Sequence, residues 1–192
     1  MNKRTLLWVG VGLLVVGLVG MAATTAYMLA GGPLGRSMGG NMDAMFIEQM
    51  IPHHEDAIAM AELALTRAEH PEIKQLAEDV IKTQSAEIDK MQEWYQEWFD
   101  ADVPELGRSS GMMGGGMMSG DVDIEDLEAA EQFDKAFIEA MVPHHQMGIM
   151  MSQMAGSSTR RAELRGLTES IVEVQSEEID KMREWYDDWY GR

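Results

Sequence analysis

The chain has 192 residues, 45% of them hydrophobic, a formal net charge of −18 and no cysteine. Length and apolar content suffice for one buried core with appendages, while the missing thiols exclude disulfides, thiolate zinc sites, iron-sulfur clusters and cysteine nucleophiles together. The acidic balance repels nucleic acid and anionic lipid and favours cations, or simply keeps an exported domain soluble; histidine, carboxylate and 19 methionines are left as metal ligands.

The charge is unevenly spread. The first 36 residues hold Lys3, Arg4 and Arg36 and no acid. From Thr5 to Ala30 no charged residue occurs, a run long enough for a helix to cross about 30 Å of hydrocarbon. Residues 1–30 are therefore expected to be a transmembrane anchor. Lys3 and Arg4 ahead of it keep the N-terminus cytoplasmic and place the acidic remainder outside. A cleaved signal peptide is the alternative, given the small residues Ala22, Ala23 and Ala26; the length of the run favours retention, and both readings put the working domain outside the cytoplasm.

Residues 31–42, with Gly31, Gly32, Gly39 and Gly40, read as a flexible tether ending at Asp43, a candidate helix N-cap. Helical periodicity follows in Phe46, Ile47, Met50, Ile51, His54, Ala57, Ile58, Ala61 and Leu65, and stops near His70-Pro71. A second helix from Pro71 carries Ile73, Leu76, Val80, Ile88, Met91, Tyr95 and Trp98 inward and ends near Asp100. Residues 101–130 form a linker whose stretch Gly111 to Met118 is too rich in glycine for helix. The helical pair then returns, over Phe137 to about Ala155 and Glu163 to Tyr190. Met50-Ile51-Pro52-His53-His54 recurs as Met141-Val142-Pro143-His144-His145, and Lys90 to Tyr95 recurs as Lys181 to Tyr186, both 91 residues on. Nothing alternates with the period of a strand. Two tandem hairpins, 43–100 and 131–192, pack most simply as an all-α four-helix bundle with an internal twofold.

Four of the five histidines lie in the duplicated motif. At 100° per residue, His54 falls within its helix's apolar stripe and His53 at its border. Pro52 either begins the helix or kinks it and frees the Glu48 carbonyl. Gln84 and Glu87 share the inward stripe of the second helix, where neither belongs without a partner. A hairpin turning at about residue 70 sets His54 opposite Glu87 and Met50 opposite Met91, and predicts that these four converge within one turn. The second hairpin repeats the set with His145, Glu178, Met141 and Met182. His53 and His144 are expected at the rim, as are Met60 and Met151. Thioethers with imidazole select Cu(I) or Ag(I) over harder ions, and a site without thiols suits an oxidising compartment. Glu87 and Glu178, with Gln84 and Gln175, are expected to hold the imidazoles from behind. Met147, Met150, Met151 and Met154 ladder along the third helix, and Met112, Met113, Met117 and Met118 could gather metal on the linker. Methionines at helical spacing also serve packing, and a buried His-Glu pair can serve only to fix helix register.

The Met-Ile-Pro-His-His motif, followed by Gln84-Ser85-Ala86-Glu87-Ile88 with Met91 and Trp94, resembles the family called domain of unknown function 305. The likeness covers residues 43–99 and returns over 134–190. It implies a ferritin-like helical bundle, secreted or membrane-anchored, of a kind in which some members bind copper or silver. It further implies metal-binding roles for His53, His54, Met50 and Met91 and for His144, His145, Met141 and Met182. The second copy departs at Gln146, Met147 and Gly148, where the first has Glu55, Asp56 and Ala57, so the two sites are expected to differ in affinity.

Three functions compete. The first is an extracytoplasmic Cu(I) or Ag(I) binder that sequesters or hands on the ion and catalyses nothing. The second is a structural or partner-binding bundle. The third, a di-iron or di-manganese oxidoreductase, lacks the Glu-x-x-His pattern, because Met50 and Met141 stand three residues before the first histidine of each pair. No phosphate loop, nucleophile elbow or Rossmann glycine pattern is present.

Overall fold

A computed structural model describes residues 33–104 and 123–191, with side chains from residue 42 onward. Its helices are α1 (Pro33–Arg67), α2 (Pro71–Phe99), α3 (Ile124–Ala129), α4 (Phe133–Ser158) and α5 (Ala162–Tyr190). The expected membrane span and the methionines of the linker lie outside the described residues. Among the described residues no strand occurs, and no helix is long and apolar enough to cross a membrane.

The turn chemistry accounts for most boundaries. Pro71 at the first position of α2 gives up a backbone donor that would be unpaired there anyway, and His70 before it is extended at φ −80°, ψ 128°. The same helix closes on Asp100 in the left-handed region at φ 54°, with its N–H donating to the Gln96 carbonyl. Aspartate is among the few non-glycine residues that tolerate this conformation.

Four expectations need correction. Helix α1 starts at Pro33, so residues 33–42 are helical rather than tether. Asp43 is no cap either: it is buried, and its Oδ2 stands 3.3 Å from Nε of Arg161. The linker contains a helix of its own, α3, capped where Asp123 accepts from the N–H groups of Glu125 and Asp126. The glycine content of 111–118 says nothing about 124–129, which is glycine-free. Leu65, assigned inward by periodicity, is exposed.

The apolar side chains segregate into two clusters at opposite ends of the bundle. One joins Met60, Ala64, Ile73 and Val80 to Phe137, Met141 and Met182; the other joins Phe46, Met50 and Met91 to Leu164, Leu167 and Ile171. Each cluster thus combines the closed end of one hairpin with the open end of the other. Helices α1 and α4 consequently run antiparallel, Asp43 near Arg161 at one end and His70 near Asp134 at the other. Burying such side chains contributes roughly 1.5–3 kcal/mol apiece. Between the clusters lies a layer that is polar.

Candidate metal centre

The polar layer is built from the middle turns of four helices. His54 and His145 have no exposed surface, and Nε2 of each meets a carboxylate at 2.8 Å, Glu87 Oε2 for His54 and Glu178 Oε2 for His145. This is the pairing that the hairpin spacing predicts. A carboxylate accepts, so Nε2 is the donor in each pair and Nδ1 is the nitrogen left over. In both rings that Nδ1 is buried without a protein partner.

His53 and His144 are not at the rim. Their rings approach to 3.8 Å between centroids, 8% and 3% exposed, and they join the two histidine pairs across the α1–α4 contact. The duplicated motif therefore converges on one layer instead of two separate sites. The signal for this was available: His54 and His145 stand 16 residues before His70 and Arg161, the residues that end the two turns, so antiparallel hairpins must bring both pairs to the same height. Burial lowers His53 to about 3 and His144 to about 2, and the neighbouring imidazoles add to the shift in each case. Both rings are neutral at physiological pH. By hydrogen-bond geometry neither nitrogen of His53, nor Nδ1 of His144, has a protein partner, although the backbone of each lies near enough to the other's ring to oppose the shift in part.

Pro52 and Pro143 lie inside α1 and α4, beginning neither helix. Proline has no N–H for the carbonyl four residues back, at Glu48 and Glu139. The side chains of these same two glutamates accept hydrogen bonds from Tyr95 (2.5 Å) and Tyr186 (2.7 Å), so each tyrosine ties α2 or α5 to the turn of helix just before a histidine pair.

Around the imidazoles the amides of Gln84 and Gln175 are buried, with Oε1 of Gln84 and both polar atoms of Gln175 unpaired. A crevice of about 10 Å³ between α2 and α5 is lined by Gln84, Glu87, Gln175 and Glu178, room for about one water. Gly148 leaves room here: a Cβ would stand 2.5 Å from Gln175 Oε1 and 3.2 Å from His53 Cε1, so the glutamine amide would have to move. Met50, Met91, Met141 and Met182 are all fully buried, the first two in the cluster on one side of the layer and the last two in the cluster on the other. Among the described residues no three His, Asp or Glu side chains converge as a ready ligand set. What the layer offers is buried imidazole nitrogen backed by two carboxylates, with thioethers in the apolar clusters on either side. Such donors suit a soft ion of low coordination number and poorly suit a hard one.

Known proteins show the same arrangement of chain. Residues 43–186 match the family described as domain of unknown function (DUF305). The fold is similar to CopM in its Cu(II)-bound form, at 47% identity and a TM-score of 0.71, over 77% of this chain and 97% of that one. Its Cu(I)-bound form gives 45% identity and 0.69 over the same shares. A DUF305 protein of Streptomyces coelicolor is 25% identical with a TM-score of 0.66, over 77% of this chain and 93% of that one. A 49-residue stretch is 45% identical to uncharacterized protein L153 of Acanthamoeba polyphaga mimivirus, covering 26% of this chain. That match spans about a third of the viral protein, 32% of its length.

Proposed function

Since this chain belongs to the DUF305 family, we propose that it is an extracytoplasmic binder of monovalent copper or silver, anchored by residues 1–30, that sequesters the ion or hands it on. The metal is cargo, and no catalytic step is assigned. One observation carries the reading: five imidazole nitrogens, on His53, His54, His144 and His145, are buried without a protein partner. An unpaired buried polar atom costs about 1–3 kcal/mol, and a bundle has no reason to bear that several times over in one layer unless something fills it. Glu87 and Glu178 orient two of the rings, the neutral state of His53 and His144 leaves their lone pairs free, and Met50, Met91, Met141 and Met182 supply thioethers within the adjoining core. The likeness to CopM, solved with Cu(I), Cu(II) and silver bound, supports copper or silver as the ion, and the soft thioethers nearby favour the monovalent state.

Isothermal titration of the full chain with Cu(I) under reducing conditions tests this. The His54→Ala, His145→Ala double variant is expected to bind at least 100-fold more weakly. Equal affinity and stoichiometry in parent and variant would overturn the proposal. The absence, among the described residues, of a preformed set of three His, Asp or Glu side chains favours one other reading, a polar layer that only fixes helix register. That reading requires Cu(I) binding that the histidine substitutions leave unchanged and a more stable protein when His54 and His145 are replaced by leucine.

A further inference from the structure

The two hairpins agree through the buried layer and part company on the outer flank of α4. Met147, Met150, Met151 and Met154 are spaced 3, 4 and 7 residues apart, which puts them on one strip of helix surface. Their exposure is graded. Met154 is 53% and Met150 39% exposed, Met147 and Met151 are half-buried, and His144, one turn before Met147, is buried. Packing does not require sulfur at three of these positions, because the equivalent flank of α1 carries Asp56, Ala59 and Leu63 there; only Met151 has a methionine counterpart, the buried Met60. Among the described residues four large apolar side chains are exposed, and three are methionines, the third being Met45 at 44%.

Met45 belongs to the same surface. The contact of His53 with His144 sets the antiparallel register of α1 and α4, which brings Met45 level with about Ser152. Met45 and Met154 each lie about 80° of helix rotation from the seam histidine of their own helix, in the same sense and away from the core. We propose that Met147, Met150, Met151 and Met154, with Met45 beside them, form a second site on the outside of the α1–α4 seam. This thioether-only site takes a soft monovalent cation, Cu(I) or Ag(I), and has no counterpart in the first hairpin. Thioethers carry no charge and bind hard ions poorly, and the flexible methionine side chain lets sulfurs on adjacent turns close on one ion. The acidic protein draws cations toward the strip. The inference rests on the metal-binding reading only for the class of ion.

The test uses the full chain with methyl-labelled methionine, titrated with silver ion in chloride-free buffer. The methyl resonances of Met150 and Met154 should shift during the titration. The variant carrying leucine at positions 147, 150, 151 and 154 should bind one silver ion fewer per chain while its melting temperature stays within a few degrees of the parent. A His54→Gln, His145→Gln variant should keep the methyl shifts. Unmoved resonances, or an unchanged silver count in the leucine variant, would overturn the site and leave the strip as a packing or docking surface. The two proposals fail separately: a histidine variant that keeps every ion counts against the buried layer alone, and a leucine variant that keeps every ion counts against the strip alone.

Discussion

Both hairpins place Asp, a turn residue and Trp at corresponding ends of the bundle, but with different chemistry. At one end Asp43 pairs with Arg161, whose guanidinium lies 4.1 Å from the centre of the Trp98 ring. At the other end the equivalent residues are Asp134, His70 and Trp189; the imidazole stacks on the indole at 3.6 Å, and Nδ1 lies 2.6 Å from Asp134 Oδ2. Asp134 also accepts from the backbone N–H groups of Glu69 and His70, whereas Oδ1 of Asp43 has no partner. Arginine reaches further and stays charged; histidine is shorter, and the carboxylate approaches closely enough to take the turn's own donors. Against this divergence the central layer is the same in both copies, residue for residue. A position facing another copy of itself across the seam, as His53 faces His144, is constrained twice, while an end contact needs only some cation and some ring.

The largest test of that contrast is acid. His53 and His144 are held below 6.5 by burial, to about 3 and about 2. The unfolded chain takes up a proton on each as pH falls through 6.5, and the folded chain does not. Their contribution is therefore complete above pH 6.5 and is lost progressively below it, by roughly 3 kcal/mol for the pair between pH 6.5 and 5. Urea unfolding across that range should show each of His53→Leu and His144→Leu removing about half of the loss; a variant with the parental slope would mean that its ring is already hydrated in the folded state.

The two ends should then separate by stability. Replacing Asp134 by alanine strips three donors of a buried acceptor and should cost about 3 kcal/mol, against about 1 kcal/mol for Asp43→Ala. Equal shifts of the urea midpoint would erase the distinction drawn between the ends. The smallest effect is expected where the copies differ beside the layer, at Ala57 and Gly148. Ala57→Gly should cost up to about 1 kcal/mol in helix propensity, read from thermal melts. Gly148→Ala should fail to gain that amount, because the new methyl must displace Gln175 and press on His53.

Much of the layer was legible because a hairpin converts sequence separation into height: residues equidistant from the turn meet, and His54 with Glu87 is such a pair. The helices and their inward faces followed from periodicity. What escaped depended on the other hairpin. His53 lies at the border of its own helix's stripe, and only the presence of His144 turns border into interior. Asp43 looks like a cap until Arg161, which is 118 positions away, claims its carboxylate. Gly148 looks like a weak spot in a helix until the Gln175 amide is seen against it. Local signals cannot report a partner supplied by tertiary pairing.

The contact between the His53 and His144 rings gives the duplication a quaternary meaning. Neither half of the bundle owns the layer, since each brings two imidazoles and a carboxylate and closes them against the other half. Severed from its sister, either hairpin would present bare nitrogens along an open apolar trough, and the economical remedy would be a second copy of itself laid head to tail. Joining both halves in one chain holds the local concentration of the matching surface high at any dilution, so that closure of the trough does not depend on how many molecules the compartment holds.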